Sequence, residues 1–198
     1  MTKPKISFLA FFLLWAELQG WKVPIFHIQV CIFLEEFYLN GRTGLLMLPR
    51  GHSKSSILDV FNAWVIYCWP STQILHQGTT DSDAYKCSKG TRDVLERHPL
   101  CIGNPNVAIR QGEIERWFVE GTPDVRYGTM LAKGILSGVT GHRAHFMQND
   151  DVETPQTTAN PEQREKLPKK LSEQTHIAIP REKRLSVGIA HNLNLVYE

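Results

Sequence analysis

The stretch that decides the fold is Leu48-Pro49-Arg50-Gly51-His52-Ser53-Lys54-Ser55-Ser56. It follows an apolar run and precedes a stretch of helical character that ends near Trp69. A strand, a tight polar turn, a Lys-Ser pair and a helix are the layout of a phosphate-binding P-loop, in which backbone N–H groups surround the phosphates. The match to GxxxxGK(S/T) is incomplete because Leu48 and Ser53 replace the two glycines. Taken alone, the stretch fits an ordinary basic turn equally well.

The residue types in this loop predict distinct chemical roles toward a nucleotide. Lys54 would neutralise the β- and γ-phosphate oxygens, and the hydroxyl of Ser55 would bind Mg²⁺. Arg50 would reach the γ-phosphate and stabilise charge in the transition state, with a surface salt bridge as the alternative. The other residues predicted to bind ATP through the loop are Gly51, His52, Ser53 and Ser56.

A cluster of acids lies far downstream, at Asp150-Asp151-Val152-Glu153. It follows a predicted strand over residues 145–149. In P-loop ATPases one carboxylate at a strand end joins the Mg²⁺ shell, and a neighbouring one orients or deprotonates the attacking water. We therefore predict that Asp150 binds Mg²⁺ and that Asp151 or Glu153 activates water. Asp151 is favoured because tandem acids at a strand end match the D-E order of related ATPases. The alternative is that these acids only cap a loop or the next helix.

Composition places the chain among globular proteins. Its 198 residues are 42% hydrophobic and 21% charged, which is typical of a folded domain with a sizeable core. A net charge of +2 is too small to indicate nucleic-acid binding by itself. The spacing of the cysteines fits neither a zinc site nor a disulfide framework, so we predict reduced, buried thiols: Cys31, Cys68, Cys87 and Cys101.

The N-terminal segment needs a separate interpretation. Residues 6–16 are nearly all apolar and follow two lysines, as in a signal peptide. The run of about 11 residues is too short to span a bilayer. No A-x-A cleavage site follows, so a buried first helix is the better prediction.

The remaining chain alternates between helical and extended patterns. Helices are predicted over residues 6–20, 25–38, 57–69, 83–97 and 162–172, and the inner positions of the second include Ile28, Ile32, Leu34 and Phe37. Strands are predicted over residues 42–48, 73–77 and 145–149, as short strands within 107–132, and as a last pair at 175–179 and 185–189; residues 155–160 read as a polar loop. The pattern predicts an α/β fold: a P-loop NTPase of the ASCE type, with a mainly parallel sheet flanked by helices. We expect one domain over residues 1–198, with residues 1–22 as a helical appendage.

Four motifs, taken in order, resemble the large terminase subunit of tailed phages, the ATPase that drives DNA into the procapsid. The loop RGHSKS is similar to that family's RGxGKS form, and residues 138–145 with the acids at 150–153 resemble its G-x-x-x-G-x-R-A-D segment followed by D-D-x-E. Pro24-Ile25-Phe26-His27 resembles the adenine-side motif, and residues 187–197 resemble the coupling segment. The resemblance extends over residues 20–198.

The resemblance implies a function and partners. It implies hydrolysis of ATP with Mg²⁺, coupled to movement of double-stranded DNA in the cytoplasm of the infected host cell, without a membrane. The implied partners are the portal and procapsid, the small terminase subunit, and further copies of the chain in a homo-oligomeric ring. Within that ring Arg143 would act on a neighbour's nucleotide, with a structural tie between loops as the alternative, and His27 would contact the base, with a core or cap role as the alternative.

The sequence also departs from the family pattern. Ser53 replaces the second loop glycine, polar Gln148 and Asn149 precede the acids, and Ile189 replaces the coupling Thr. The family's nuclease half is missing, which implies a truncated chain or an ATPase-only product. Two alternatives therefore stay open: a helicase-like P-loop ATPase, and a nucleotide- or DNA-binding module with little or no turnover.

Overall fold

The computed structural model describes residues 3–123, 126–152 and 161–188. Helices and strands alternate along most of this chain, as the periodicity predicts. The helices are α1 (Phe8–Leu18), α2 (Ile25–Asn40), α3 (Lys54–Cys68), α4 (Asp81–Arg97) and α5 (Pro161–Ile177), with a short 3-10 helix at Pro105–Val107. The strands are β1 (Thr43–Met47), β2 (Ile74–Gly78), β3 (Ile109–Gly112), β4 (Arg116–Val119), β5 (Met130–Gly134), β6 (Ala144–Asp150) and β7 (Ala178–Gly188).

The described strands form one seven-stranded sheet in the order β1-β7-β6-β2-β5-β4-β3. The pairs β1–β7, β7–β6, β6–β2 and β2–β5 are parallel. The pairs β5–β4 and β4–β3 at the other side of the sheet are antiparallel. Strand β7 lies between β1, which leads into the loop, and β6, which carries the acids. Because the carboxyl ends of parallel strands meet at one edge, the loop and the acids lie at the same edge of the sheet.

Helices cover both faces of the sheet. Helices α1 to α4 pack into the main core, where Tyr38 and Phe61 contact Phe146 of β6 edge to face, with ring centroids 5.5 and 5.9 Å away. Helix α5 contributes Ile177 to a second cluster with Leu75 and Met147. The predicted α/β class, a mainly parallel sheet flanked by helices, is confirmed.

Helix α1 is a buried helix. The Ser7 hydroxyl accepts a hydrogen bond from the Ala10 N–H at 3.2 Å, and Gly20, with φ of +66°, follows the end of the helix. Phe8, Phe11 and Phe12 are fully buried, so the prediction of a buried first helix is confirmed. Among the described residues no helix has the length and apolar character needed to cross a membrane. All four cysteines are free and buried, also as predicted.

Gln148 and Asn149, the polar residues on the acid-bearing strand, belong to buried amide networks on opposite faces of the sheet. On the first face, Gln148 Oε1 accepts hydrogen bonds from Asn62 of α3 at 3.0 Å and from His76 of β2 at 2.6 Å. Burial lowers the pKa of His76, which keeps the ring neutral and its Nδ1–H available as a donor. These contacts connect the helix after the loop to the strand that carries the acids.

On the second face, the side-chain amide of Gln174 in α5 donates to Gln77 Oε1 at 2.6 Å and to Asn149 Oδ1 at 2.7 Å. Gln77 and Asn149 are direct neighbours across β2 and β6. The two networks pair most of the amide groups that they bury, although Asn62 Oδ1 and Gln148 Nε2 have no hydrogen-bond partner among the described residues.

Two details of the predicted secondary structure are wrong. Of the strand expected over residues 175–179, the first three residues end α5 and only 178 and 179 begin β7, because Gln174 and Ile177 pack against the sheet in helical register. Ile32 was expected on the inner face of α2 but is 52% exposed, since the helix buries Cys31 and Leu34 instead. The predicted loop at 155–160 and the motif residues from 189 onward lie outside the described residues.

Candidate nucleotide site

The loop between β1 and α3 has the backbone of an anion cradle. Gly51 and Ser53 both adopt left-handed conformations, with φ of +79° and +55°. Lys54 is the first residue of α3, and no side-chain hydrogen bond from Ser53 caps the helix. Left-handed residues in such a turn point successive N–H groups to one side, and an uncapped helix N-terminus adds further donors. The loop can therefore bind a phosphate group through its backbone.

Lys54 reaches the acids at the end of β6. Its ammonium group lies 3.2 Å from Asp150 Oδ1 and also contacts Asp151 Oδ2. The side chains of Lys54 and Asp150 are only 10% and 14% exposed. Lys54 and Asp150 therefore meet at one edge of the sheet, and one cation lies between two carboxylates.

Asp151 is held in a strained conformation. Its φ of +47° is uncommon for a residue with a side chain. The backbone N–H of Asp151 donates to the Val187 carbonyl of β7 at 2.8 Å, and its own carbonyl accepts from the Thr79 hydroxyl at 2.6 Å. Glu153, the other predicted water-activating residue, lies outside the described residues.

Two cavities flank these side chains. One, of about 350 Å³, is enclosed by the loop with Lys54, Ser55 and Asp151. The other, of about 360 Å³, lies between the loop, the end of β2 and the first turns of α4; its lining residues are Arg50, Ser55, Asp59, Gly78, Thr79, Asp83, Lys86, Cys87, Asp150 and Asp151. Arg50, Ser55 and Asp151 line both cavities, so the two cavities are neighbours that share these side chains.

Asp59 is a site residue that the sequence reasoning missed. It lies one helical turn after Ser55, on the same face of α3, and its Oδ1 has no hydrogen-bond partner among the described residues. Burial is the main cause that raises its pKa from 3.8 to about 8; the negative charges of Asp150 and Asp93 act in the same direction, and a hydrogen bond with Cys87 acts against them. The available signal was a lone acid in an otherwise apolar helical segment, at residues 57–61.

His27 of α2 and His52 of the loop connect these two segments. His27 is buried, and its Nε2 lies 3.3 Å from the carbonyl oxygen of His52. The His52 ring lies edge to face with Phe26, with centroids 5.1 Å apart, and its Nδ1 is 3.0 Å from the Arg50 carbonyl. These contacts attach α2 to the loop. The predicted contact of His27 with the base stays a prediction, as does that of the loop backbone at Ser56.

Arg143 does not join this site. It is an exposed residue directly before Ala144, the first residue of β6, whereas Asp150 is the last. Six residue steps along a strand separate Ala144 and Asp150 by about 20 Å. The arginine therefore lies at the opposite edge of the sheet from the chain's own acids.

The oxygen ligands expected for Mg²⁺ are Ser55 and Asp150, which line the same cavity. In the part of the chain that the structure describes, no group of three or more His, Cys, Asp or Glu side chains could hold a metal by itself. One hydroxyl and one carboxylate fit Mg²⁺ bound together with phosphate oxygens and water, the usual arrangement in nucleotide enzymes. The donor set thus fits Mg²⁺ only in company with a nucleotide.

The comparisons with known proteins agree with this architecture. A solved structure of a mutant ATPase domain of the large terminase from Thermus phage P74-26 is similar to the chain, with a TM-score of 0.54 and 17% sequence identity. The similarity covers 92% of this chain and 71% of that chain. At this identity the similarity shows the fold alone: a mainly parallel α/β sheet flanked by helices. No protein-family model matches the chain, and no curated protein matches it.

The buried Asp59 predicts a pH-dependent stability. With a pKa of about 8 in the folded chain and an ordinary value of 3.8 when unfolded, the folded state holds an extra proton between these pH values. The free energy of unfolding should therefore fall by about 1.4 kcal/mol per pH unit as pH rises through this window. The stabilising contribution of protonated Asp59 is fully present below its unfolded-state pKa of 3.8 and is lost as pH rises through its folded-state pKa of about 8. Denaturant unfolding of the nucleotide-free wild type between about pH 5 and pH 7 should show this slope relative to Asp59→Asn.

A matched control for Asp59 is Asp83→Asn. Hydrogen bonds from Lys86 and Thr80 lower the pKa of Asp83, so it is ionised in both states across the same window. Its replacement should leave the slope unchanged. Parallel curves for the wild type and Asp59→Asn would contradict a protonated Asp59.

The left-handed Ser53 predicts a gain from glycine. A side chain at φ of +55° costs about 1 kcal/mol, and glycine removes that cost. Ser53→Gly should raise the free energy of unfolding by about 0.5–1 kcal/mol in denaturant titrations. The control is Ser71→Gly, because Ser71 lacks a positive φ and should lose stability instead. Equal losses in both variants would show that Ser53 is unstrained.

Proposed function

We propose that the chain is the ATPase domain of a viral DNA-packaging motor, the large terminase subunit, which hydrolyses Mg²⁺-bound ATP to move double-stranded DNA into a procapsid. The single observation that carries the proposal is the contact of Lys54 with Asp150 and Asp151, directly beside a loop whose backbone can bind phosphate. The four ordered sequence motifs and the similarity to a terminase ATPase domain support the particular class.

The site residues divide the work of hydrolysis. Lys54 exchanges its carboxylate partners for the β- and γ-phosphates, and Ser55 and Asp150 hold Mg²⁺. The metal neutralises phosphate charge when bound. Asp151, freed from Lys54, orients the attacking water and accepts its proton. Arg50 stabilises charge on the γ-phosphate from within the same chain.

The proposed partners and location are those of a large terminase subunit. The partners are double-stranded DNA, the portal and procapsid, the small terminase subunit and further copies in a ring, in the cytoplasm of the infected host cell. A binding module with little turnover is the second candidate, and the strained Ser53 at the second glycine position of the loop favours it. A helicase-like ATPase would use the same Lys54 and Asp150.

The proposal predicts different defects for Lys54 and Asp151. Asp151→Asn should bind ATP nearly as well as the wild type but hydrolyse it about 10²-fold more slowly, because it can no longer accept a proton. Lys54→Ala should lose both binding and turnover, because the phosphates lose their cation. The measurements are ATP affinity by calorimetry and phosphate release, each with and without duplex DNA.

The control for these variants is Lys169→Ala, which removes an exposed lysine of α5 whose ammonium group pairs with Glu165. It should leave binding and turnover unchanged. Binding without phosphate release by the wild type would favour the binding module. Equal, modest losses from Lys54→Ala and Asp151→Asn would make the acids structural.

We propose that Arg143 acts between subunits, with a structural tie between loops as the alternative. It lies at the edge of the sheet opposite the acids of its own chain, so a nucleotide that it contacts would be bound to a neighbouring copy. An isolated chain should then hydrolyse ATP slowly, and mixing Arg143→Ala with Lys54→Ala chains should restore part of the activity at mixed interfaces. A verified monomer that hydrolyses ATP as fast as the assembled ring would return Arg143 to a structural role.

A further inference from the structure

Asp151 depends on two neighbouring strands for its conformation. A left-handed conformation is unfavourable for a residue with a side chain, so external contacts must hold Asp151 in place. Its N–H is held by the Val187 carbonyl of β7, and its carbonyl is held by the Thr79 hydroxyl beyond the end of β2. The Val187 contact uses backbone atoms and is independent of side-chain type. The Thr79 contact is therefore the one that a side-chain substitution can remove.

The register of the sheet explains why Thr79 reaches Asp151. Gln77 of β2 pairs with Asn149 of β6, so the chain positions two residues later lie side by side just beyond the strand ends. There the Thr79 hydroxyl donates to the Asp151 carbonyl oxygen at 2.6 Å. Thr79 also lines the cavity of about 360 Å³ that contains Asp151 and Ser55.

We propose that Thr79 is a positioning residue for hydrolysis: its hydroxyl fixes the Asp151 peptide in the left-handed conformation that directs the carboxylate toward Lys54 and the reacting phosphate. This inference rests on the proposed function of Asp151. The hydroxyl acts through Asp151, so it sets the rate of the chemical step and contributes little to ATP binding. Small displacements of a catalytic group are sufficient to lower a rate strongly.

The neighbouring Thr80 provides a matched control. Its hydroxyl accepts a hydrogen bond from the Asp83 N–H at 3.2 Å and donates to the Asp83 side chain, which caps α4. Thr80→Val therefore removes the same hydroxyl one residue along the chain, where the loss concerns helix stability alone. Comparison of Thr79→Val with Thr80→Val therefore distinguishes a changed position of Asp151 from a general structural defect near the cavity.

The experiment compares Thr79→Val, which keeps the shape and removes the hydroxyl, with Thr79→Ser, which keeps the hydroxyl. Thr79→Val should lower kcat about 10-fold, with KM within about 2-fold of the wild type. Thr79→Ser should recover most of kcat, and Thr80→Val should retain wild-type kcat below its melting temperature. If Thr79→Val does not fold, Thr79→Ala against Thr79→Ser gives the same comparison.

A double variant tests whether Thr79 acts through Asp151. In the Asp151→Asn background, Thr79→Val should cause no further loss of kcat, because the group that it positions is already absent. A further 10-fold loss would overturn the inference, and so would wild-type kcat in Thr79→Val or failure of Thr79→Ser to recover activity. The proposed function fails separately, and this inference with it, if the wild type releases no phosphate. A fully active Asp151→Asn would overturn this inference alone and assign the water-activating role to Glu153.

Discussion

The contact of one ammonium group with two carboxylates organises the site. Lys54 lies between Asp150 and Asp151, and without this cation two adjacent, partly buried acids would repel each other. The contact exists because β1 and β6 run parallel with β7 between them, so that the residue after one strand's loop meets the end of the other. A bound nucleotide, as proposed above, would replace the acids as the partner of Lys54, and the acids would then need another cation.

The strands and helices around this contact are connected by polar groups as well as by apolar packing. Gln148 links α3 and β2 on one face, and Gln174 links α5 to Asn149 on the other. Buried amides are stable only when their partners are correctly placed, so these networks specify the register of β6 more narrowly than aliphatic side chains would. The polar residues before the acids, unusual in sequence, thus have a structural role next to the site.

Backbone strain is found on both sides of the phosphate region. Among the described residues, Ser53 and Asp151 alone have positive φ without being glycine, one in the loop and one among the acids. Strained conformations persist only where surrounding contacts enforce them, and they concentrate at functional sites. Here the enforcing contacts of Asp151 come from β2 and β7, which ties the geometry of the acids to the sheet as a whole.

The sequence by itself determined the features that depend on local order along the chain. The strand–loop–helix pattern around Lys54, the acids at the end of a strand and the α/β alternation are set by residue type and period over short segments. The distance between Arg143 and Asp150 is also set by the sequence, because the number of residues between them fixes how far apart they lie along one strand. The strand expected at 175–179 failed because Thr175 and Ile177 favour strands locally, whereas burial of Gln174 and Ile177 against the sheet favours the helix.

Only the tertiary structure decided which distant residues meet. Thr79 and Asp151 are 72 positions apart, and no local sequence pattern indicates that they are in contact. The pairing and register of β2 and β6 bring them together. The raised pKa of Asp59 likewise depends on burial by elements far away in sequence. Side-chain periodicity tells which face of an element is inside, but the choice of neighbours is made by the packing of the whole sheet, because each strand has several partners of similar pattern.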